Sequence, residues 1–293
     1  MYYRRKIMLC VLDAFGGSID NTFMEKMLFL FCQKGRQVYE FVPYQYGPFS
    51  FASYRDKSAL VKRGILRDVE KFQFESDYSD LNITIDKAAE KIIDSLQNDY
   101  SNISNTDLVK KIYLEYPYYA INSIIASEIL SEEELREVIL TREKNNKTEP
   151  VIFTIGYEKR TIDGFVNELI KNNIACVIDV RKNPFSMNFP FIGSNIARVV
   201  SKFDISYHHL PDLGIEQSQR KNLDTFDDYQ RIFRDYKENL ADKQDSLEQI
   251  RDIINSFKRI ALLCYERDPK YCHRQVLANY IKKTTQRFQR IDL

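Results

Sequence analysis

The sequence predicts an α/β C-terminal domain, a mostly parallel sheet with flanking helices. An N-terminal winged helix-turn-helix-like α+β domain and a helical linker region precede it. Three observations carry this prediction. After residue 150, short apolar runs rich in isoleucine and valine alternate with amphipathic helices, the pattern of βα units. Before residue 86 the order is helix, helix, helix, then two stretches of strand character. The charge divides the same way: residues 1–85 hold 12 basic and 10 acidic side chains, 86–148 hold 8 and 12, and 149–293 hold 23 and 20. An acidic middle thus separates two slightly basic ends.

The first part, 1–85, begins with a helix from Tyr2 to Phe15, closed by Gly16-Gly17. Ser18 to Asn21 offers a short extended piece and an N-cap. Phe23, Met27, Leu28, Leu30 and Phe31 then give a wide apolar helical face up to Gly35. YEFVPYQYGPFS holds two prolines and a glycine and reads as a loop. A third helix runs from Phe49 or Ser50 to Lys62, stopped by Gly64. ILRDVEKFQFE and LNITI read as two strands around a turn at Ser76–Asp80. In a winged helix-turn-helix the third helix often enters the DNA major groove and the hairpin meets backbone. Arg55, Lys57, Lys62 and Arg63 are therefore the nucleic-acid-binding candidates. The alternative is a solvated helix face in a protein-interaction domain.

The second part, 86–148, is helical. Asp86 caps a helix to Gln97, Thr106–Tyr116 is a second ended by Pro117, and SEEELREVI is a third with Ser131 as cap. REKNNKTEP is the best linker in the chain.

The third part, 149–293, holds the chemistry. VIFTIGY, ACVIDVR, ISYHH and RIALLCYE read as strands. Helices are expected over 162–172, 194–203, 227–240, 246–256 and 274–283. Ligands of open α/β sheets bind outside the carboxyl ends of the strands. Polar residues gather at those ends: Gly156, Tyr157 and Glu158; Asp179 and Arg181; His208, His209 and Asp212; Cys264, Glu266 and Arg267; then Cys272-His273-Arg274 at a helix start. Asp179, Glu266 and Cys272 are the catalytic candidates. Gly156, Tyr157, Arg181, Arg267, His273 and Arg274 are the anion-binding candidates, since guanidinium matches phosphate or carboxylate geometry. The bland readings are an Arg181–Asp179 pair at a sheet edge and a buried Cys264 packed as a small apolar side chain. His208 and His209 alternate along a strand, so at most one faces the site.

Three chemistries are open to these residue types. A thiol loop after the last strand lacks an arginine six residues beyond Cys264, where Lys270 stands, and contains Asp268 and Pro269. A metal site from Cys264, Cys272 and His273 has an unusual spacing and adjacent ligands. Acid/base work by Asp179 or Glu266 on a ligand held by arginines fits the residue types best. No metal and no cofactor are expected.

Composition sets the bounds. With 293 residues, 44% apolar and 29% charged, the chain can bury two cores, and wholesale disorder is excluded. No apolar run reaches the ~18 residues of a membrane span. The N-terminal stretch contains Asp13 and no small-residue cleavage site, against a secretory signal. Five cysteines, odd in number and scattered, suit reduced thiols, so a cytoplasmic location is expected.

Two resemblances add to this. FMEKMLFLF and YEFVPYQYGPFSFASYRDKSALVKRGIL, within about residues 5–67, resemble the Panacea/SocA-like antitoxin domain, which implies a protein partner for the first part. TIGYE, DVRKNPFS, YHHLPDLG and CYERDPKYCHR, in that order over about 151–281, resemble the uncharacterised prokaryotic DUF488 domain. That resemblance implies a site comprising Gly156, Asp179, Arg181, Glu266, Cys272, His273 and Arg274 and implies no particular reaction. The expected function is nucleic-acid-associated. An arginine-lined cleft in the α/β domain would bind, and process, a nucleotide or modified DNA base. The alternative is a non-enzymatic ligand-sensing regulator or antitoxin-like interaction module.

Overall fold

Helix α1 (Tyr3–Ala14) ends where Gly16 and Gly17 both take positive φ, 84° and 75°, and the Gly17 N–H bonds back to the Leu12 carbonyl at 2.9 Å. That left-handed turn is open to glycine at little cost, which is why the helix stops there. The computed structural model describes residues 1–75, 83–220, 223, 225–285 and 288–293. After α1 come β1 (Ser18–Asp20), α2 (Asn21–Gln33), β2 (Val42–Tyr44), β3 (Gly47–Phe49), α3 (Phe51–Val61) and β4 (Lys71–Gln73). The helices α4 (Lys87–Tyr100), α5 (Asn105–Glu115), α6 (Ala126–Ile129) and α7 (Glu132–Asn145) follow.

Two expectations for this region change. The proline-containing stretch read as a loop forms the β2–β3 hairpin, with Pro43 opposite Pro48; proline is tolerated in so short an edge ladder. The expected strand over 65–75 folds back on itself instead. Leu66 bridges Phe74, and β4 pairs antiparallel with β1. Residues 83–85 carry no strand, and the expected turn at Ser76–Asp80 lies outside the described residues.

The chain divides into two compact units, Met1–Lys144 and Asn145–Leu293. The helices expected to form a separate linker region share the first unit's core. Ile93, Leu96, Ile112, Tyr113 and Val138 are buried in one cluster with Leu9, Met24, Leu28 and Phe31. Their apolar stripes have to be covered; α1 and α2 pack on α4, and α2 also packs on α5. α2 also buries Lys26, whose Nζ donates to the Pro48 carbonyl at 3.1 Å, with Glu25 at 3.9 Å. Burial lowers the Lys26 pKa to about 8, and the Glu25 charge opposes that. An unfolded lysine keeps its proton to about pH 10.4, so the unfolded state binds more protons between those limits. The Lys26 contribution to stability is therefore unfavourable below pH 8 and improves as pH rises to about 10.4. A carbon-detected NMR titration of the Lys26 ε position is expected to show a midpoint near 8. A midpoint above 10 would contradict the burial.

The second unit contains β5 (Val151–Gly156), α8 (Ile162–Lys171), β6 (Cys176–Asp179), α9 (Gly193–Val200), β7 (Ser206–His209), α10 (Phe226–Asn239), α11 (Gln244–Ser256), β8 (Arg259–Cys264), α12 (Arg274–Thr285) and β9 (Gln289–Asp292). The strands form one sheet in the order β7-β6-β8-β5-β9, every pair parallel. All residues of β5, β6 and β8 are buried, as interior parallel strands covered on both faces must be. Ile260, Leu262 and Cys264 alternate onto the face that packs against α10, α11 and α12 through Phe233, Ile250 and Leu277. Among the described residues no helix is long and apolar enough to cross a membrane.

Candidate active site at the carboxyl end of the sheet

β8 lies between β6 and β5, so the loop leaving Cys264 emerges between the ends of both neighbours. The Gly156 position faces that loop. A Cβ there would sit 1.8 Å from the Glu266 carbonyl oxygen and 2.9 Å from Arg267 Cα. Gly156 thus permits close backbone approach. The loop then makes one turn at Pro269–Tyr271, with Asp268 accepting the Lys270 N–H at 2.9 Å. Arg274 closes it from below. Its guanidinium donates to the carbonyls of Glu266 and, at 2.9 Å, Arg267. This clasp returns Cys272 and His273 to the end of β8 and sets them beside Cys264.

Four side chains meet there with a fifth from the segment before α10. Cys264 Sγ lies 3.3 Å from Glu266 Oε2 and 3.9 Å from His273 Nδ1; Cys272 Sγ lies 4.0 Å from the same nitrogen. Arg220 bonds Glu266 Oε1 through Nη1 at 2.7 Å and His273 Nδ1 through Nη2 at 3.2 Å. His273 Nε2 is 3.0 Å from the Val180 carbonyl. A carbonyl can only accept, so Nε2 carries the proton, and Nδ1 presents a lone pair to Arg220 and the two sulfurs. Cys264, Cys272 and His273 are each buried to about 1% exposure.

The electrostatics follow from this packing. A hydrogen bond from Cys272 holds the Cys264 thiol well below its ordinary range, with the Arg220 charge adding to the effect. Burial and then the Cys264 charge push Cys272 well above it. Burial raises the Glu266 carboxyl, Cys264 adds to that, and Arg220 opposes it. Above the cluster opens a cavity of about 290 Å³ that Arg220, Glu266 and His273 reach from one side. Its walls are Ile215, Leu223, Tyr229, Ile232, Phe233 and Tyr271.

The other expected site residues lie elsewhere. Asp179 is fully buried; it accepts from Arg181 Nε at 2.8 Å, the Arg181 N–H at 3.1 Å and the Tyr207 hydroxyl at 2.6 Å. Arg181 is itself buried. Besides Asp179 it donates to the Tyr157 hydroxyl at 3.1 Å and the Phe191 carbonyl at 2.9 Å. Tyr157 is 4% exposed and stacks on Phe191 at 4.6 Å. These three pack into one buried network. Arg274, expected to bind an anion, is fully buried, with its guanidinium on the carbonyls of Glu266 and Arg267. Arg267 is exposed, and its N–H binds Glu158 Oε2 at 3.1 Å. His209 meets the Arg181 carbonyl at 2.8 Å, while His208 is exposed beside Phe257.

The sequence reading missed Arg220, Tyr229 and Tyr271. Arg220 sits in EQSQRKNLD, a polar segment without periodicity or motif. Only its partners mark it. In the first unit, Lys57 is buried. Its ammonium binds Asn21 and the Val69 carbonyl, both at 3.0 Å, over the Phe72 ring. It is therefore no phosphate contact, whereas Arg55, Lys62 and Arg63 are exposed.

Residues 161–281 match the family described as domain of unknown function DUF488. That segment is similar to DUF488 domains. It holds Arg220 and the whole cluster from Cys264 to His273, whereas Gly156 and Tyr157 fall just before the matched stretch. No match was found among curated proteins or solved structures.

Proposed function

We propose that the DUF488-like domain binds and processes a nucleotide or modified nucleobase in the pocket above β8. Glu266 is the acid/base group and Arg220 the cationic contact. The observation that carries this reading is the convergence of Arg220, Glu266 and His273 on one aromatic-walled cavity. A few convergent polar groups in an otherwise apolar pocket, one of them a carboxyl shifted upward, mark a small-molecule site. A flat heteroaromatic ring suits walls that include Tyr229 and Tyr271. Its edge can donate to Glu266 and accept from Arg220. In the first unit, a winged-helix-like module would hold nucleic acid through Arg55, Lys62 and Arg63.

Calorimetric titration with nucleosides and their 5′-monophosphates tests the pocket. Arg220→Ala is expected to weaken binding by roughly 10- to 100-fold, the loss of one charge-assisted hydrogen bond. Glu266→Gln is expected to lower turnover by about 100-fold or more while affinity stays close to wild type. A regulator without turnover would instead change only in affinity. If no member of the nucleoside series binds, the reading fails. Nucleic-acid contact by the first unit is read from the salt dependence of DNA binding by the full chain. Lys62→Ala and Arg63→Ala are each expected to reduce the slope by about one, and a slope near zero in the wild type removes that contact.

A further inference from the structure

We propose that Cys264, Cys272 and His273 form a binding site for a zinc-class divalent ion whose fourth position opens on the pocket beside Glu266. The three donor atoms lie within 4.8 Å of one another. A tetrahedral ion with metal–sulfur distances of ~2.3 Å and metal–nitrogen distances of ~2.1 Å requires S···N separations of about 3.6 Å. The observed 3.9 and 4.0 Å close on that geometry with shifts of a few tenths of an ångström.

The ligand chemistry agrees with the geometry. Two sulfurs and an imidazole nitrogen are a soft to borderline set, which selects zinc over magnesium or calcium. The Val180 carbonyl accepts the His273 Nε2–H at 3.0 Å, which fixes the ring with the Nδ1 lone pair toward the sulfurs. A carbonyl or carboxylate on the far nitrogen is the usual outer support of a metal-binding histidine. Charge agrees as well. Arg220 and Glu266 neutralise each other at 2.7 Å, so two thiolates leave a buried charge that one divalent ion balances. Arg220 Nη2 now bonds Nδ1 at 3.2 Å. Loading exchanges that one bond, and Nη1 stays on Glu266. Cys-x₇-Cys-His is not a familiar zinc spacing, but the clasp made by Arg274 brings the two ends together regardless of spacing. Three protein ligands with an open fourth position describe a catalytic rather than a structural centre, with a water beside a carboxylate.

This inference deepens the pocket reading, yet its readout is metal content, measured without any organic ligand. The reduced full chain is loaded with zinc chloride, desalted and analysed for metal, and cobalt(II) is loaded in parallel. One equivalent of zinc is expected, along with tetrahedral cobalt bands and a sulfur-to-cobalt charge-transfer band. Cys264→Ser and Cys272→Ser are each expected to weaken the ion by more than the ~100-fold that loss of an outer partner causes. Cys10→Ser is expected to retain it. Should the serine variants misfold, zinc-edge absorption on the wild type decides: two sulfur and two lighter ligands are expected. No retained ion, a six-coordinate cobalt spectrum, or zinc that survives both serine substitutions overturns the site. Metal uptake without nucleotide binding would leave this site standing and remove the pocket ligand. Nucleotide binding by a chain that takes up no metal would do the reverse.

Discussion

Asp179→Asn is expected to destabilise the second unit by about 3–5 kcal/mol, because it leaves the buried Arg181 charge without its partner. The Asp179 carboxylate has no exposure, and the Arg181 side chain only 6%. The carboxylate accepts from the Arg181 guanidinium, the Arg181 N–H and the Tyr207 hydroxyl. An asparagine amide would replace one acceptor with a donor facing those donors, and it would supply no charge. The measurement is hydrogen-exchange protection of β6 and β8 across a urea series, which separates this unit from the first. A loss below about 1 kcal/mol, accompanied by lost turnover, would return Asp179 to the catalytic role that its position at a strand end suggests.

Gly156→Ala has the second-largest expected effect. The new methyl group would meet the Glu266 carbonyl oxygen at 1.8 Å and its carbon at 2.5 Å. Both are backbone atoms held by Arg274, so no flexible side chain can move aside. Overpacking of this kind costs about 1–3 kcal/mol and occasionally more. A loss of about 3 kcal/mol or more is expected, together with displacement of residues 264–274 and loss of pocket binding. An unchanged melting temperature with an intact pocket would show that the loop does not cross Gly156 as described.

Both substitutions concern residues that the sequence marks as important but does not assign to a role. The strand ends were legible. VIFTIG, apart from Thr154, and the IALLC that follows Arg259 are apolar because both faces of β5 and β8 are covered, and those runs predict central parallel strands. Cys264, Glu266, Cys272 and His273 were recognisable as chemistry at such an end. The direction in which each arginine faces was not legible. Arg181, Arg267 and Arg274 look equivalent in the sequence, yet two of them are buried against protein acceptors. The arginine that lines the pocket is Arg220, brought in by a polar segment with no pattern. The meeting of Cys264 with Cys272 and His273 depends on the clasp from Arg274, which linear spacing does not reveal. β9 was missed because QRID is short and polar; it is held by pairing with β5 and by the Thr154–Asp292 bond at 2.7 Å. In the first unit, Lys57 counts as surface charge in any tally of basic residues, but it packs over Phe72.

The proposed function puts ligand chemistry above β8, at Arg220, Glu266 and His273, and not at the Asp179–Arg181 network. Hydrogen exchange of the full chain with and without a saturating nucleoside 5′-monophosphate tests it most directly. New protection is expected in 213–220, 229–233 and 264–273, with β6 and the 181–192 segment unchanged. Protection confined to 181–192, with no change across 264–273, would contradict it.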